Sequence, residues 1–214
     1  YEIMPSLVGS EMCIRDSPRI CAITAAMTSG TGLTEFSKEL PDRFFDVGIA
    51  EGHAVAMAGG MAKQGLIPVF AVYSSFLQRG FDMLIHDISL DKLHAVFCVD
   101  RAGLVGADGQ THHGCFDPAY LTQIPGMTVL CPASFAELRD MLRHAICQVS
   151  GPVAIRYPRG GERDYTAASD PARCYITLRD GADFTILSYG ILINEALKAA
   201  ELLAEKGISV RVIK

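Results

Sequence analysis

Several common features are missing from this sequence, and each absence removes a class of function. No apolar run approaches the roughly 20 residues that a helix needs to span a bilayer, so the chain reads as soluble, with no membrane role. There is no basic cluster and the net charge is −5, which leaves no electrostatic footprint for nucleic acid. The seven cysteines (13, 21, 98, 115, 131, 147 and 174) are odd in number and contain no Cys-x-x-Cys pair. Cys98 in HAVFCVD and Cys131 in TVLCPA sit inside apolar runs, where a free thiol behaves as a small hydrophobe. Neither a disulfide framework nor a zinc site is expected, no metal ligand is assigned, and a reducing compartment fits best.

What is present is ordinary for a protein with a core: 50% of the 214 residues are apolar and 20% are charged. That length suits one full α/β domain and part of another. Residues 1–17, YEIMPSLVGSEMCIRDS, carry neither sustained periodicity nor the basic start and apolar centre of a signal peptide. They resemble a translated adaptor tail more than a linker, and are expected to make few buried contacts.

From Pro18 onward, short apolar runs alternate with helical segments. RICAIT, RFFDVG, IPVFAVY, HAVFCVD, MTVLCPA and VAIRYP read as strands. Glu51 to Gln64, Phe76 to Leu90 and Phe135 to Val149 read as helices. Continuous apolar strands are those buried on both faces. Strands separated by helices of this length imply βαβ units, so the fold class is α/β, a parallel sheet with helices on both faces over 18–160. Residues 161–175 have the Gly, Pro, Ser and Asp content of a linker. DFTILSYG, a helix over Asn194 to Lys206 and GISVRVIK then form one βαβ unit over 176–214. Such a unit cannot bury both faces of its sheet, so the natural protein is expected to continue beyond it.

Open parallel sheets bind ligands beyond the carboxyl ends of their strands. Four polar segments stand there: Gly48 to His53, Tyr73 to Arg79, Asp100 to His113 and Arg156 to Arg159. Glu51 opens a helix, and taken alone it reads as a first-turn carboxylate complementing the helix dipole. DRAGLVGADGQTHHG is more informative, since it gathers Arg101, Asp108, Gln110, Thr111, His112 and His113 among four glycines. Long polar loops after strands are more often functional than merely solvated.

DVGIAEGHAV, VYSSFLQRGFD, DRAGLVGADGQTHHGCFD and RYPRG, in this order and spacing, resemble the pyrimidine-binding domain of the 1-deoxy-D-xylulose-5-phosphate synthases. These are thiamine-diphosphate enzymes of the transketolase-like superfamily. The resemblance runs from about Pro18, and the last 40 residues resemble the start of that family's C-terminal domain. It implies that pyruvate is decarboxylated and joined to glyceraldehyde 3-phosphate, in the route to isoprenoids and thiamine. Glu51 is then the catalytic carboxylate that hydrogen-bonds the cofactor's aminopyrimidine and promotes loss of the carbon-2 proton. Phe76 stacks on that ring. Tyr73 and Arg79 line the substrate side, and Arg101 and Arg159 grip the acceptor phosphate. Asp108 and His112 bond the acceptor and the intermediate, His112 also passing protons. His113, His86 and His53 are weaker candidates.

The family carries Gln after the catalytic Glu, and Gly52 departs from this. No Gly-Asp-Gly motif followed by Asn is present, so the resemblance places Mg2+ and the diphosphate anchor in a missing N-terminal domain, and the segment alone is expected to be inactive. It also implies a homodimer at full length, in the bacterial cytoplasm or a plastid. Away from the resemblance, Phe76 reads equally as a core aromatic and Arg79 as a surface cation with a buried stem. Two other readings stay open: a transketolase-like enzyme with different substrates, and a non-catalytic paralogue. Survival of the carboxylate, the polar loop and both arginines speaks against the second.

Overall fold

The computed structural model describes residues 17–214; the expectation for residues 1–16 lies outside them. The six continuous apolar runs form β1 (Ile20–Thr24), β2 (Phe44–Asp46), β3 (Ile67–Tyr73), β4 (Val96–Asp100), β5 (Thr128–Leu130) and β6 (Val153–Arg156). They make one sheet in the order β2-β1-β3-β4-β6-β5, parallel throughout. Successive side chains of a strand point to opposite faces, and each face finds its own helices. Ile20, Ala22, Val69, Ala71, Val96, Cys98, Val153 and Ile155 pack with Phe36 of α1 (Thr34–Glu39) and with Leu138, Leu142 and Ala145 of α6 (Phe135–Cys147). Ile23, Phe70, Val72, Phe97, Val99 and Ala154 pack on the other side with Ala54, Val55 and Ala58 of α2 (Glu51–Lys63). Burial pushes the Cys98 thiol up to about 12, so it serves only as packing. Cys21, Cys98, Cys115, Cys131 and Cys174 are free thiols.

The run expected as one helix from Phe76 to Leu90 is helical but not uniform. It comprises α3 (Ser74–Leu77), a 3-10 turn Gln78–Gly80, α4 (Phe81–Met83) and a π turn Leu84–Ser89. The short helices α1 and α5 (Asp117–Leu121) were not legible either. Their few turns provide too little periodicity to stand out.

After residue 175 the expected βαβ unit is present as β8 (Phe184–Leu187), α7 (Ile193–Ala204) and β9 (Val210–Ile213), with β8 and β9 parallel. A further strand, β7 (Thr177–Arg179), lies antiparallel on the other side of β9. Its three residues carry no pattern by themselves, and only pairing with a strand more than thirty positions later makes them one. Among the described residues no helix is long and apolar enough to cross a membrane.

Candidate active site

Strand order reverses around β1: the chain passes from β1 to β2 on one side and returns to β3 on the other. Ligand crevices of parallel sheets open at such reversals, and all four polar segments lie at this carboxyl edge. Glu51 begins α2, whose N-cap Ala50 makes no side-chain cap. A carboxylate there complements the helix dipole, yet at 3% exposure it needs a partner as well. Arg79 supplies one, its Nη1 donating to Glu51 Oε1 at 2.8 Å. Gly52 lies in the first turn of α2, against Met83. A Cβ at that position would lie 2.7 Å from Cε of Met83, so the thioether fills the space a longer side chain would take.

Beside this pair is an aromatic group. The rings of Tyr73 and Phe76 stack with centroids 5.6 Å apart, and His112 meets Phe76 edge-on at 5.1 Å. The guanidinium carbon of Arg79 stands 5.4 Å from the Phe76 centroid, and that of Arg101 stands 3.9 Å from the Tyr73 centroid. Thr111 Oγ1 hydrogen-bonds Nδ1 of His112 at 2.9 Å, and among the described residues Nε2 has no hydrogen-bond partner.

The two arginines do meet, but not as unpaired cations. Arg101 Nε donates to Asp108 Oδ2 at 3.4 Å, and Arg159 Nη1 donates to the other oxygen of Asp108. Arg101 Nη1 also donates to Asp100 Oδ2 and to the Gly30 carbonyl, both at 2.6 Å. Carboxylates of the chain itself thus already face both guanidiniums, before any acceptor phosphate does. Among the described residues Nε and Nη2 of Arg159, whose side chain is 40% exposed, have no partner.

Asp100, Gly30 and Gly114, to which the sequence assigns no role of their own, support the arrangement of Arg101 and Tyr73. Burial pushes the Asp100 carboxyl up to about 6, against the pull of Arg101. A Cβ on Gly30 would lie 1.8 Å from the Tyr73 hydroxyl, and one on Gly114 would lie 2.3 Å from the Arg101 carbonyl. Gly114 and Gly103 exchange two backbone hydrogen bonds of 2.8 Å, closing the neck of the polar loop. The available signal was the Asp-Arg pair at the end of a buried strand. The weaker histidines take other roles. His113 Nδ1 accepts from the Val105 amide at 2.9 Å and braces the loop, His86 pairs with Asp82 at the surface, and His53 is exposed.

A flat basic heteroaromatic ring finds here what it needs, a buried acid beside an aromatic face. Among the described residues no group of three or more His, Cys, Asp or Glu is placed to hold a metal. A cavity of about 540 Å³ lies elsewhere, between β5 and residues 169–176, and is lined by none of these side chains.

Residues 10–163 match the family described as transketolase, pyrimidine binding domain, and residues 175–214 match transketolase, C-terminal domain. The first match begins at residue 10, earlier than the start near Pro18 expected from the resemblance. The 1-deoxy-D-xylulose-5-phosphate synthase of Chlorobium luteolum is 51% identical over 95% of this chain and 33% of its own length. That of Clostridium kluyveri is 53% identical over 96% of this chain and 33% of its own. The chain thus spans about a third of the length of the curated relatives it matches. Among solved structures, a split-gene transketolase in an inactive β4 tetramer superposes with a TM-score of 0.84 at 31% identity, over 99% of this chain and 68% of that one. A Pichia stipitis transketolase in complex with sedoheptulose 7-phosphate also reaches 0.84, at 20% identity, over 100% of this chain and 35% of that one, a likeness of fold alone. By the match over residues 10–163 and the fold that carries it, this chain belongs to the transketolase pyrimidine-binding domain family.

Proposed function

We propose that this chain is the pyrimidine-binding part of a 1-deoxy-D-xylulose-5-phosphate synthase, joining pyruvate to glyceraldehyde 3-phosphate with loss of carbon dioxide. The observation that carries the reading is the gathering of Glu51, Phe76, Tyr73, His112, Arg101, Asp108 and Arg159 at one carboxyl edge, in a chain about half identical to proteins of that name.

Glu51 and Phe76 would hold the aminopyrimidine of thiamine diphosphate, one by hydrogen bonding and the other by stacking. When bound, that cofactor supplies the electron sink for decarboxylation. Mg2+ and the diphosphate are assigned to residues outside this chain. Arg159 offers its free N–H groups to the acceptor phosphate, a fit that planar guanidinium makes well. Arg101, fixed by Asp100 and Gly30, sets the position of Asp108 and lies beneath the same site. His112, its Nδ1 engaged by Thr111, passes protons through Nε2 during addition and release. The full-length protein is read as a homodimer in the bacterial cytoplasm.

The test is product formation by the full-length protein carrying this sequence, with thiamine diphosphate and Mg2+. Pyruvate plus glyceraldehyde 3-phosphate should yield 1-deoxy-D-xylulose 5-phosphate by mass spectrometry. Turnover of a ketose phosphate donor in place of pyruvate would assign it instead to the transketolase reaction.

A further inference from the structure

Both contacts that the proposed function reserves for the aminopyrimidine are held by one side chain of this protein. Arg79 Nη1 donates to Glu51 Oε1 at 2.8 Å, and the same guanidinium lies 5.4 Å from the Phe76 centroid. Among the described residues Arg79 is the hydrogen-bond partner of Glu51. The two ends of the pair differ sharply, the Glu51 side chain being 3% exposed and that of Arg79 59%.

We infer that Arg79 is a placeholder, whose guanidinium occupies the carboxylate and ring contacts of the aminopyrimidine in the cofactor-free protein and yields them when the cofactor binds. The inference rests on the reading of Glu51 and Phe76 as pyrimidine partners. A guanidinium shares the features those partners recognise: it is planar, positive and edged with N–H donors. A carboxylate as buried as Glu51 is costly to leave unpaired, so an empty site needs an internal cation. An arginine that is mostly exposed suits the task, since its head is re-solvated on withdrawal while its stem stays against the protein. Release would leave Arg79 free at the edge that carries Arg159, so cofactor binding and the appearance of a cation for an anionic substrate become one event.

Calorimetric titration of thiamine diphosphate with Mg2+ into the full-length protein tests this without turnover. Arg79→Ala removes the competitor and should bind about fivefold more tightly than the unmodified protein, the equivalent of about 1 kcal/mol. Arg79→Lys keeps a charge but loses the planar fork, and should fall between. The ratio of variant to unmodified affinity should shrink toward one as sodium chloride is raised, because the exposed partner is screened. Equal or weaker binding by a folded Arg79→Ala, or by Arg79→Lys should the alanine variant not fold, would overturn the placeholder. Failure of the unmodified protein to take up the cofactor would instead sink the reading of Glu51 and Phe76, and the inference with it.

Discussion

Arg101 and Arg159 carry the same charge and share Asp108, yet their surroundings assign them different consequences. Arg101 has a side chain 12% exposed, a left-handed backbone at φ 58, and is also bonded to Asp100, whose side chain is 6% exposed. Arg101→Ala should cost about 1–3 kcal/mol, the penalty for stranding a buried hydrogen-bond partner, moderated because Asp100 can take up a proton. Arg159→Ala strands nothing so deep. In the full-length protein it should leave the melting temperature nearly unchanged while raising KM for glyceraldehyde 3-phosphate, with KM for pyruvate little affected. Equal losses toward both substrates would return Arg159 to a structural role. Glu51→Gln keeps an acceptor for Arg79 but removes the charge. Carbon-2 proton exchange of bound cofactor, followed by NMR, should slow by orders of magnitude with little change in melting temperature. An unchanged exchange rate would leave Glu51 as no more than a helix-start carboxylate.

At the scale of elements, the polar loop from Arg101 to Gly114 works as a clamp closed at its neck. Gly114→Ala would drive a Cβ to 2.3 Å from the Arg101 carbonyl and 2.5 Å from Ser74 Oγ, both parts of packed structure that cannot give way cheaply. We expect a lower melting temperature and weaker acceptor binding together, whereas Gly106→Ala, with open space around it, should do neither. The strand-end carboxylate adds a pH dependence. Burial raises the Asp100 carboxyl from 3.8 to about 6, so between these values the folded state keeps a proton that the unfolded chain has lost. Its stabilising contribution is full below about pH 4 and is lost as pH rises through about 6. Denaturant titrations across that window should show this slope, and Asp100→Asn should flatten it. In this region the place of Glu51, Tyr73, Phe76, Arg79 and the loop at the carboxyl edge was legible because each lies at or soon after the end of an apolar strand, while the roles expected of them came from the family resemblance. Asp100 was read as the end of its strand, and the π turn and the short helices left no periodicity to find.

For the molecule as a whole, one buried carboxylate ties the two sheets together. Ser134 caps α6 by accepting the Glu137 amide at 3.1 Å, and Glu137 reaches back to the Ala133 amide at 2.8 Å, a variant of the capping box. The second oxygen of Glu137 accepts from Tyr165 at 3.1 Å, from Ser169 at 2.7 Å, and from Lys214 beyond β9. Glu137→Ala should destabilise by about 3–5 kcal/mol, the cost of breaking a buried pair from one side, and should expose the segment 161–175 to protease before the first sheet unfolds. Cleavage and global unfolding that remain simultaneous would mean the clasp lies elsewhere. Nothing in SFAELRD distinguishes this Glu from an ordinary first-turn acid, since its partners arrive from residues 28, 32 and 77 positions away. The same division holds throughout. The amino-acid sequence by itself determined the parallel sheet, the helices that cover it and the polar segments after each strand, because these follow from local periodicity and from the geometry of βαβ units. Only the tertiary structure decided which charges face one another. It placed Asp108 and Asp100 against the arginines, Arg79 on Glu51 and β7 on β9, because pairing across a fold depends on distances that no local pattern encodes.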